Sequence, residues 1–406
     1  MKRPAVRKRD QIAPAQERTR SGDRREPLAL PADDFDRDVW CVLGIPIDRV
    51  SLASAVVRLE ASVRDRKRLS FVTPNVNWLV RALRQSRARR QILDADLSLA
   101  DGAPIVLLSR LLGVPLEGRA AGADLFEALR RRPGFAGRRM RVFFFGGRED
   151  AARRAFDQLN AERGGLEGAG WTNPGFGDVE AMSAPAILRD INAAGPDFVV
   201  VSLGAAKGQE WIARNQFELE APVIAHLGAV VDFTAGSIRR APALVSRLGF
   251  EWAFRIVAEP ALWRRYLSDA VHLAGFALTR LGPQLLVSTK GRAGASIDSQ
   301  SDRDCVTVRP QGDMVHANLG SVRVSFRTAA ASGRDIILDL TGVRTIDRAF
   351  LGLVLMLEKR QARQGGSLAV TGMNRGVRTL FRGNMMNYAE PEARAARSDG
   401  RAAQAG

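Results

Sequence analysis

The stretch from Phe198 to Tyr266 concentrates residues that bind anions. An apolar run, Phe198-Val199-Val200-Val201, meets the glycine turn Gly204-Ala205-Ala206-Lys207-Gly208. A second apolar run ends in Gly228-Ala229 and leads into Asp232-Phe233-Thr234-Ala235-Gly236. Arg239-Arg240-Ala241-Pro242 and Glu251-Trp252-Ala253-Phe254-Arg255 follow, with Arg264 and Arg265 beyond. Glycine turns let backbone N–H groups close on an anion where a helix begins. Arginine meets phosphate oxygens with a planar fork of donors. The combination predicts a site for an anionic, phosphorylated ligand.

The elements that must carry these residues are legible as an alternation. Short apolar strands at Leu69–Thr73, Leu97–Ala100, Arg141–Phe145 and Phe198–Val201 are separated by amphipathic helices, among them Asn77–Ile92, Ile105–Leu112, Glu149–Asn160 and Val179–Ala193. Such alternation predicts an α/β fold with a Rossmann-like parallel sheet covered on both faces. Ligands of these folds lie outside the carboxyl ends of the strands. Thr73-Pro74-Asn75, Asp101-Gly102, Gly146-Gly147, Gly204-Ala205 and Gly228-Ala229 all fall at such ends.

Composition narrows the partner. The 406 residues carry a formal net charge of +17, almost all of it from arginine. An anionic partner is implied: nucleic acid, an anionic membrane surface or a phosphorylated substrate. Nucleic acid is set aside, because neither a recognition helix nor an aromatic stacking motif is present. Cys41 and Cys305 are too few and too far apart for a disulfide framework. With His226, His272 and His316 they make no metal-ligand spacing, so neither metal nor cofactor is expected. Residues 1–30 lack the apolar centre of a signal peptide. No apolar run is long enough for a spanning helix.

Organisation along the chain follows from the same patterns. Residues 1–37 are expected to be a disordered basic arm, and residues 38–268 a first domain with a basic appendage over 250–268. Residues 269–289 are amphipathic, suited to a membrane surface or to packing. A polar linker is expected over 290–303, a smaller α/β domain over 304–390 and a disordered tail over 391–406.

The first domain resembles the WecG/TagA/CpsF glycosyltransferases over roughly residues 40–270. The resemblance is carried by Thr73-Pro74-Asn75, the run Ala95 to Gly102, Arg119 to Leu125, Phe144-Phe145-Gly146-Gly147, Gly204 to Asn215, Asp232 to Pro242 and Glu251 to Tyr266. It implies an inverting, metal-independent transfer from a UDP-sugar to a polyprenyl-diphosphate-linked sugar acceptor. Asp101 would be the general base, deprotonating the attacking hydroxyl. Thr73 and Asn75 would contact sugar or acceptor, Arg119 a phosphate, and Asp232 the nucleotide side. Arg255, Arg264 and Arg265 would serve the diphosphate and the membrane surface. The family pattern Pro-Lys-Gln-Glu is here Ala206-Lys207-Gly208-Gln209-Glu210, so Lys207 and Gln209 are candidate contacts and the donor sugar stays open. The resemblance also implies self-association and a cytoplasmic place at the inner face of the membrane.

The second domain resembles a STAS domain through Ile337 to Val343, Ile346-Asp347, Leu351-Gly352 and Gly365 to Val370. Regulatory members carry a phosphorylatable serine just after the aspartate. Here Asp347 is followed by Arg348-Ala349-Phe350, which rules out a serine switch at that place. A docking or oligomerisation module, with a protein partner, is the expectation. The competing reading of the whole chain is a non-catalytic regulator that keeps the transferase fold.

Overall fold

The computed structural model describes residues 28–237, 242, 245, 251–258, 262–291 and 294–388. Residues 1–27 of the expected arm 1–37 and the expected tail 391–406 lie outside the described residues, as does Arg239-Arg240-Ala241.

A six-stranded sheet forms the first domain. Its strands are β3 (Leu69–Val72), β4 (Leu97–Ser98), β5 (Met140–Gly146), β6 (Leu166–Thr172), β7 (Phe198–Ser202) and β8 (Val223–His226), in the order β4-β3-β8-β7-β5-β6. Every pairing is parallel. Helices α1 (Leu52–Arg64), α2 (Val76–Arg84), α3 (Ser86–Leu93), α4 (Ala103–Leu111), α5 (Gly122–Arg131), α6 (Ala151–Ala161), α7 (Pro185–Ala194), α8 (Ala205–Asn215) and α9 (Gly228–Thr234) connect them. Side chains alternate across the sheet, as the two-residue period of a strand requires. Phe144 and Val200 enter one apolar cluster with Phe71 and Phe126, while Phe143, Phe145, Val199 and Val201 enter another with Trp211. Burial on both faces explains the uninterrupted apolar runs of β5 and β7.

Two readings of this region are corrected. The expected helix Asn77–Ile92 is two helices, because Gln85 between α2 and α3 is extended. β6 was not anticipated: it is an edge strand, Leu-Glu-Gly-Ala-Gly-Trp-Thr, buried only at Leu166. A half-exposed edge strand gives little hydrophobic pattern to read.

The second domain holds β9 (Ala295–Ser301), β10 (Cys305–Met314), β11 (Asp335–Asp339), β12 (Val343–Ile346) and β13 (Leu368–Thr371). β9 runs antiparallel to β10, and the other pairings are parallel. Much of the expected linker 290–303 is therefore strand. Polar Ser296, Asp298 and Gln300 hid it, since the backbone ladder to β10 holds it in place. The strands expected at Cys305–Arg309 and Met314–Leu319 are one strand ending at Met314. The helices, after α10 (Glu251–Ala258) and α11 (Leu262–Phe276), are α12 (Leu319–Ala331), α13 (Arg348–Arg363) and α14 (Arg375–Gly383).

The two domains share one core. An antiparallel hairpin, β1 (Val39–Val42) and β2 (Ile45–Asp48), is buried throughout and joins the apolar cluster of α13 and α12. Gly352 on α13 lies against the backbone of β1, where a Cβ would stand 2.1 Å from the Val39 carbonyl oxygen. Trp40 stacks on His316 at 5.2 Å. Arg89 pairs with Glu358 through two bonds of 2.6 and 2.9 Å. The arm expected to be disordered over 1–37 is ordered at its end. Phe35 is buried, and Arg323 donates to the Phe35 and Arg37 carbonyls at 2.8 and 2.7 Å. Those partners lie nearly 290 positions away in sequence, so composition could not show them.

Candidate active site

The five expected strand ends converge. Thr73, Asn75, Asp101, Gly147, Gly204 and Gly228 all line one cavity of about 500 Å³. The local chain explains each placement. Gly102 begins α4 at φ +93°, a conformation that favours glycine, and sends the chain sharply away after Asp101. The Asp101 amide donates to the Pro74 carbonyl at 3.0 Å, which ties the ends of β3 and β4 together. Gly122 starts α5 where a Cβ would meet the Leu227 side chain at 2.4 Å and that of Thr73 at 3.2 Å, so a larger residue would push these side chains aside. Asn75 caps α2, its Oδ1 accepting from the Trp78 amide at 3.2 Å.

A second cavity, about 540 Å³, opens beside the first. Its walls are largely apolar and aromatic: Val76, Trp252, Ile256, Trp263, Tyr266 and Leu273. Asn75, Asn77, Asp101 and Arg265 line both spaces. The roof is α10 and α11. Asp269 of α11 fixes it to α2 by accepting from Asn77 Nδ2 at 3.0 and 3.2 Å.

Most predicted site residues come together here. Thr73, Lys207 and Asp232 line the first cavity, and Lys207 Nζ donates to the Gly177 carbonyl at 2.7 Å. Arg119 lines the second and pairs with Asp124. Arg265 sits over the Tyr266 ring at 5.4 Å. Arg264 lines neither cavity and lies over Trp263 at 5.7 Å. The Arg255 side chain lies outside the described residues. Gln209 is corrected. It is buried and lines a separate space of about 200 Å³ with Ser70, Arg90 and Asp94. Two residues along a helix turn it by about 200°, so Lys207 and Gln209 cannot face one cleft.

His226 was missed. It ends β8 and lines the first cavity. Burial depresses its pKa to about 4, with Arg81 adding to the effect, so the ring is neutral at pH 7. Among the described residues its Nε2 has no hydrogen-bond partner. Gly208 is the close neighbour that makes room for it, since a Cβ there would stand 2.2 Å from the imidazole. A polar side chain at the end of a buried strand was the available signal, the same one that marked Thr73 and Asp101.

Residues 40–284 match the model of the glycosyl transferase WecG/TagA/CpsF family. The chain belongs to this family. Residues 297–386 match the Mlab, STAS domain model, and the second domain is a STAS domain. A relative from Bacillus spizizenii strain W23 is 31% identical over 218 residues, which is 53% of this chain and 82% of the relative. One from Bacillus subtilis strain 168 is 29% identical over 241 residues, 58% of this chain and 89% of the relative. A third, from Staphylococcus aureus, is 24% identical over 226 residues, 55% and 85% respectively. All three are named N-acetylglucosaminyldiphosphoundecaprenol N-acetyl-beta-D-mannosaminyltransferase. In this WecG/TagA/CpsF transferase the matched segment holds the sheet, both cavities and helices α10 and α11. The STAS domain falls outside it.

Proposed function

We propose that the protein is an inverting glycosyltransferase that moves a hexose-type sugar from a UDP-sugar to a polyprenyl-diphosphate-linked sugar, in assembly of a bacterial exopolysaccharide or cell-surface polysaccharide. The observation that carries this reading is the position of Asp101, shared by a polar cavity and an apolar one. The polar space, with Lys207, Arg148 and Asp232, suits a nucleotide-sugar. The apolar space, roofed by Trp252, Trp263 and Tyr266, suits a lipid-linked acceptor. An acceptor hydroxyl entering from the second would meet the anomeric carbon in the first, with Asp101 placed to take its proton. Attack on the face opposite UDP inverts the configuration. Arg265, on both spaces, would meet diphosphate charge as it develops.

We further place the enzyme at the inner face of the membrane. Trp263, Leu267, Val271, Leu278 and Leu285 are all exposed and recur at steps of four and seven residues. The steps of four put Trp263, Leu267 and Val271 on one face of α11, and Leu278 and Leu285 are exposed in the turns that follow its end at Phe276. An exposed apolar stripe beside arginines is the pattern of an interfacial helix. Among the described residues no helix is long and apolar enough to cross a membrane.

The test is UDP release from UDP-N-acetylmannosamine, UDP-glucose and UDP-glucuronic acid, with a short polyprenyl-diphosphate N-acetylglucosamine as acceptor. Asp101→Asn should lower kcat by about 10²- to 10⁴-fold, the usual worth of a general base, and leave donor affinity intact. Turnover near that of the unaltered protein would refute Asp101 as the base.

A further inference from the structure

The edge of the catalytic sheet is held by the STAS domain. β4 is two residues long, stands at the sheet's edge, and leads three residues on to Asp101. An edge strand leaves a row of backbone groups without a ladder partner. Charged side chains meet that row here. Ser98 N–H donates to Asp48 at 2.7 Å. The Ala95 carbonyl accepts from Arg37 at 3.1 Å and from Lys359 Nζ at 2.8 Å, and the Asp94 carbonyl accepts from Arg363 at 2.6 Å. Asp96 ties the row to β3, its Oδ2 accepting from the Ser70 amide at 2.9 Å and hydroxyl at 2.8 Å. Its Oδ1 lies 3.6 Å from Lys359 Nζ and 3.4 Å from Arg363.

The charges in this cluster balance. Asp34, Asp48 and Asp96 face Arg37, Lys359 and Arg363. Two of the three cations come from α13 of the STAS domain. Lys359 is fully buried and bonds Asp34 at 2.6 Å. A buried carboxylate that loses its cation is strongly unfavourable, so the cluster constrains both domains together. The start of α13, Arg348 and Ala349, is itself buried in the shared core rather than presented to an outside protein.

We infer that the STAS domain is a fixed part of the transferase, with Lys359 and Arg363 as positioning residues that hold the strand ends carrying Thr73, Asn75 and Asp101 in register. The link to catalysis rests on the transferase reading above; the link to strand order does not. A displacement of about 1 Å at a reacting group can cost about 10²-fold in rate.

The experiment uses the full chain carrying Lys359→Met, Lys359→Arg or Arg363→Ala, and the double variant Lys359→Met with Asp34→Asn. UDP release is measured with the donors and acceptor named above, alongside amide hydrogen exchange. Folded Lys359→Met should lose at least about tenfold in kcat with donor KM changed by less than about twofold, the split expected when positioning alone is lost. Its amides over 95–101 should exchange faster while those of β5 and β7 do not. Lys359→Arg and the double variant should each recover part of both losses. A folded Lys359→Met with kcat and exchange like the unaltered protein overturns the inference. If that variant does not fold, Arg363→Ala, whose side chain is partly exposed, decides by the same two readouts. If the unaltered protein releases no UDP from any donor, the transferase reading fails. Exchange over 95–101 then decides the positioning claim alone, faster exchange supporting it and unchanged exchange refuting it.

Discussion

Gly352→Ala separates two forces of opposite sign. Gly352 lies inside α13, a sixteen-residue helix. Helix propensity alone favours alanine there by about 1 kcal/mol. The tertiary contact opposes it. The new Cβ would stand 2.1 Å from the Val39 carbonyl oxygen, 2.7 Å from its carbon and 3.1 Å from Trp40 Cα. All three are backbone atoms of a hairpin buried on every side, so no side chain can turn away. Overpacking of this kind costs about 1–3 kcal/mol, and the rigid backbone puts this site toward the upper end. The net expectation is a loss of about 1–2 kcal/mol. That corresponds to a fall in melting temperature of about 1–3 °C for a chain of this size unfolding as one unit. Differential scanning fluorimetry on the full chain reads it. Gly320→Ala in α12, where a Cβ meets nothing within 4 Å, is the control and should hold or gain stability. A Gly352→Ala protein as stable as the unaltered one would refute the close docking of α13 on β1.

Two further expectations concern other parts of the molecule. His226 is held neutral in the fold, with its pKa depressed from 6.5 to about 4 by burial. Its contribution to stability is full above the unfolded pKa and is lost as pH falls from 6.5 through about 4. His226→Asn should therefore lose less stability than the unaltered protein between pH 7 and pH 4.5 in chemical denaturation, and parallel losses would contradict the assignment. Val271→Glu with Leu278→Glu places two charges on exposed apolar positions of α11 and the turn after it, outside both cavities. Flotation with anionic liposomes should fall several-fold while UDP release from a soluble short-chain acceptor persists; unchanged flotation would move the membrane contact elsewhere.

Much of the candidate site was legible because its signals are local. Apolar runs that stop at Thr73, Asp101, Gly147, Gly204 and Gly228 mark strand ends, and parallel sheets place strand ends together. Their convergence on one cavity follows from that rule. Gln209 failed because its place depends on helical phase, which only the packing of α8 sets. His226 escaped although it ends β8, because the apolar run continues past it to Leu227 and hides the strand end. Its neutrality comes from surrounding burial.

The amino-acid sequence by itself determined the two α/β domains, the strand ends and the family resemblance, since these depend on periodicity and on short runs of residue types. The union of the domains was decided only in three dimensions. Nothing local in the sequence joins Asp34, Arg37 and Asp96 to Lys359. Folding brings residues some 325 positions apart to 2.6 Å and removes them from water. In that setting each charge requires its partner, and this pairing makes the STAS domain continuous with the catalytic sheet.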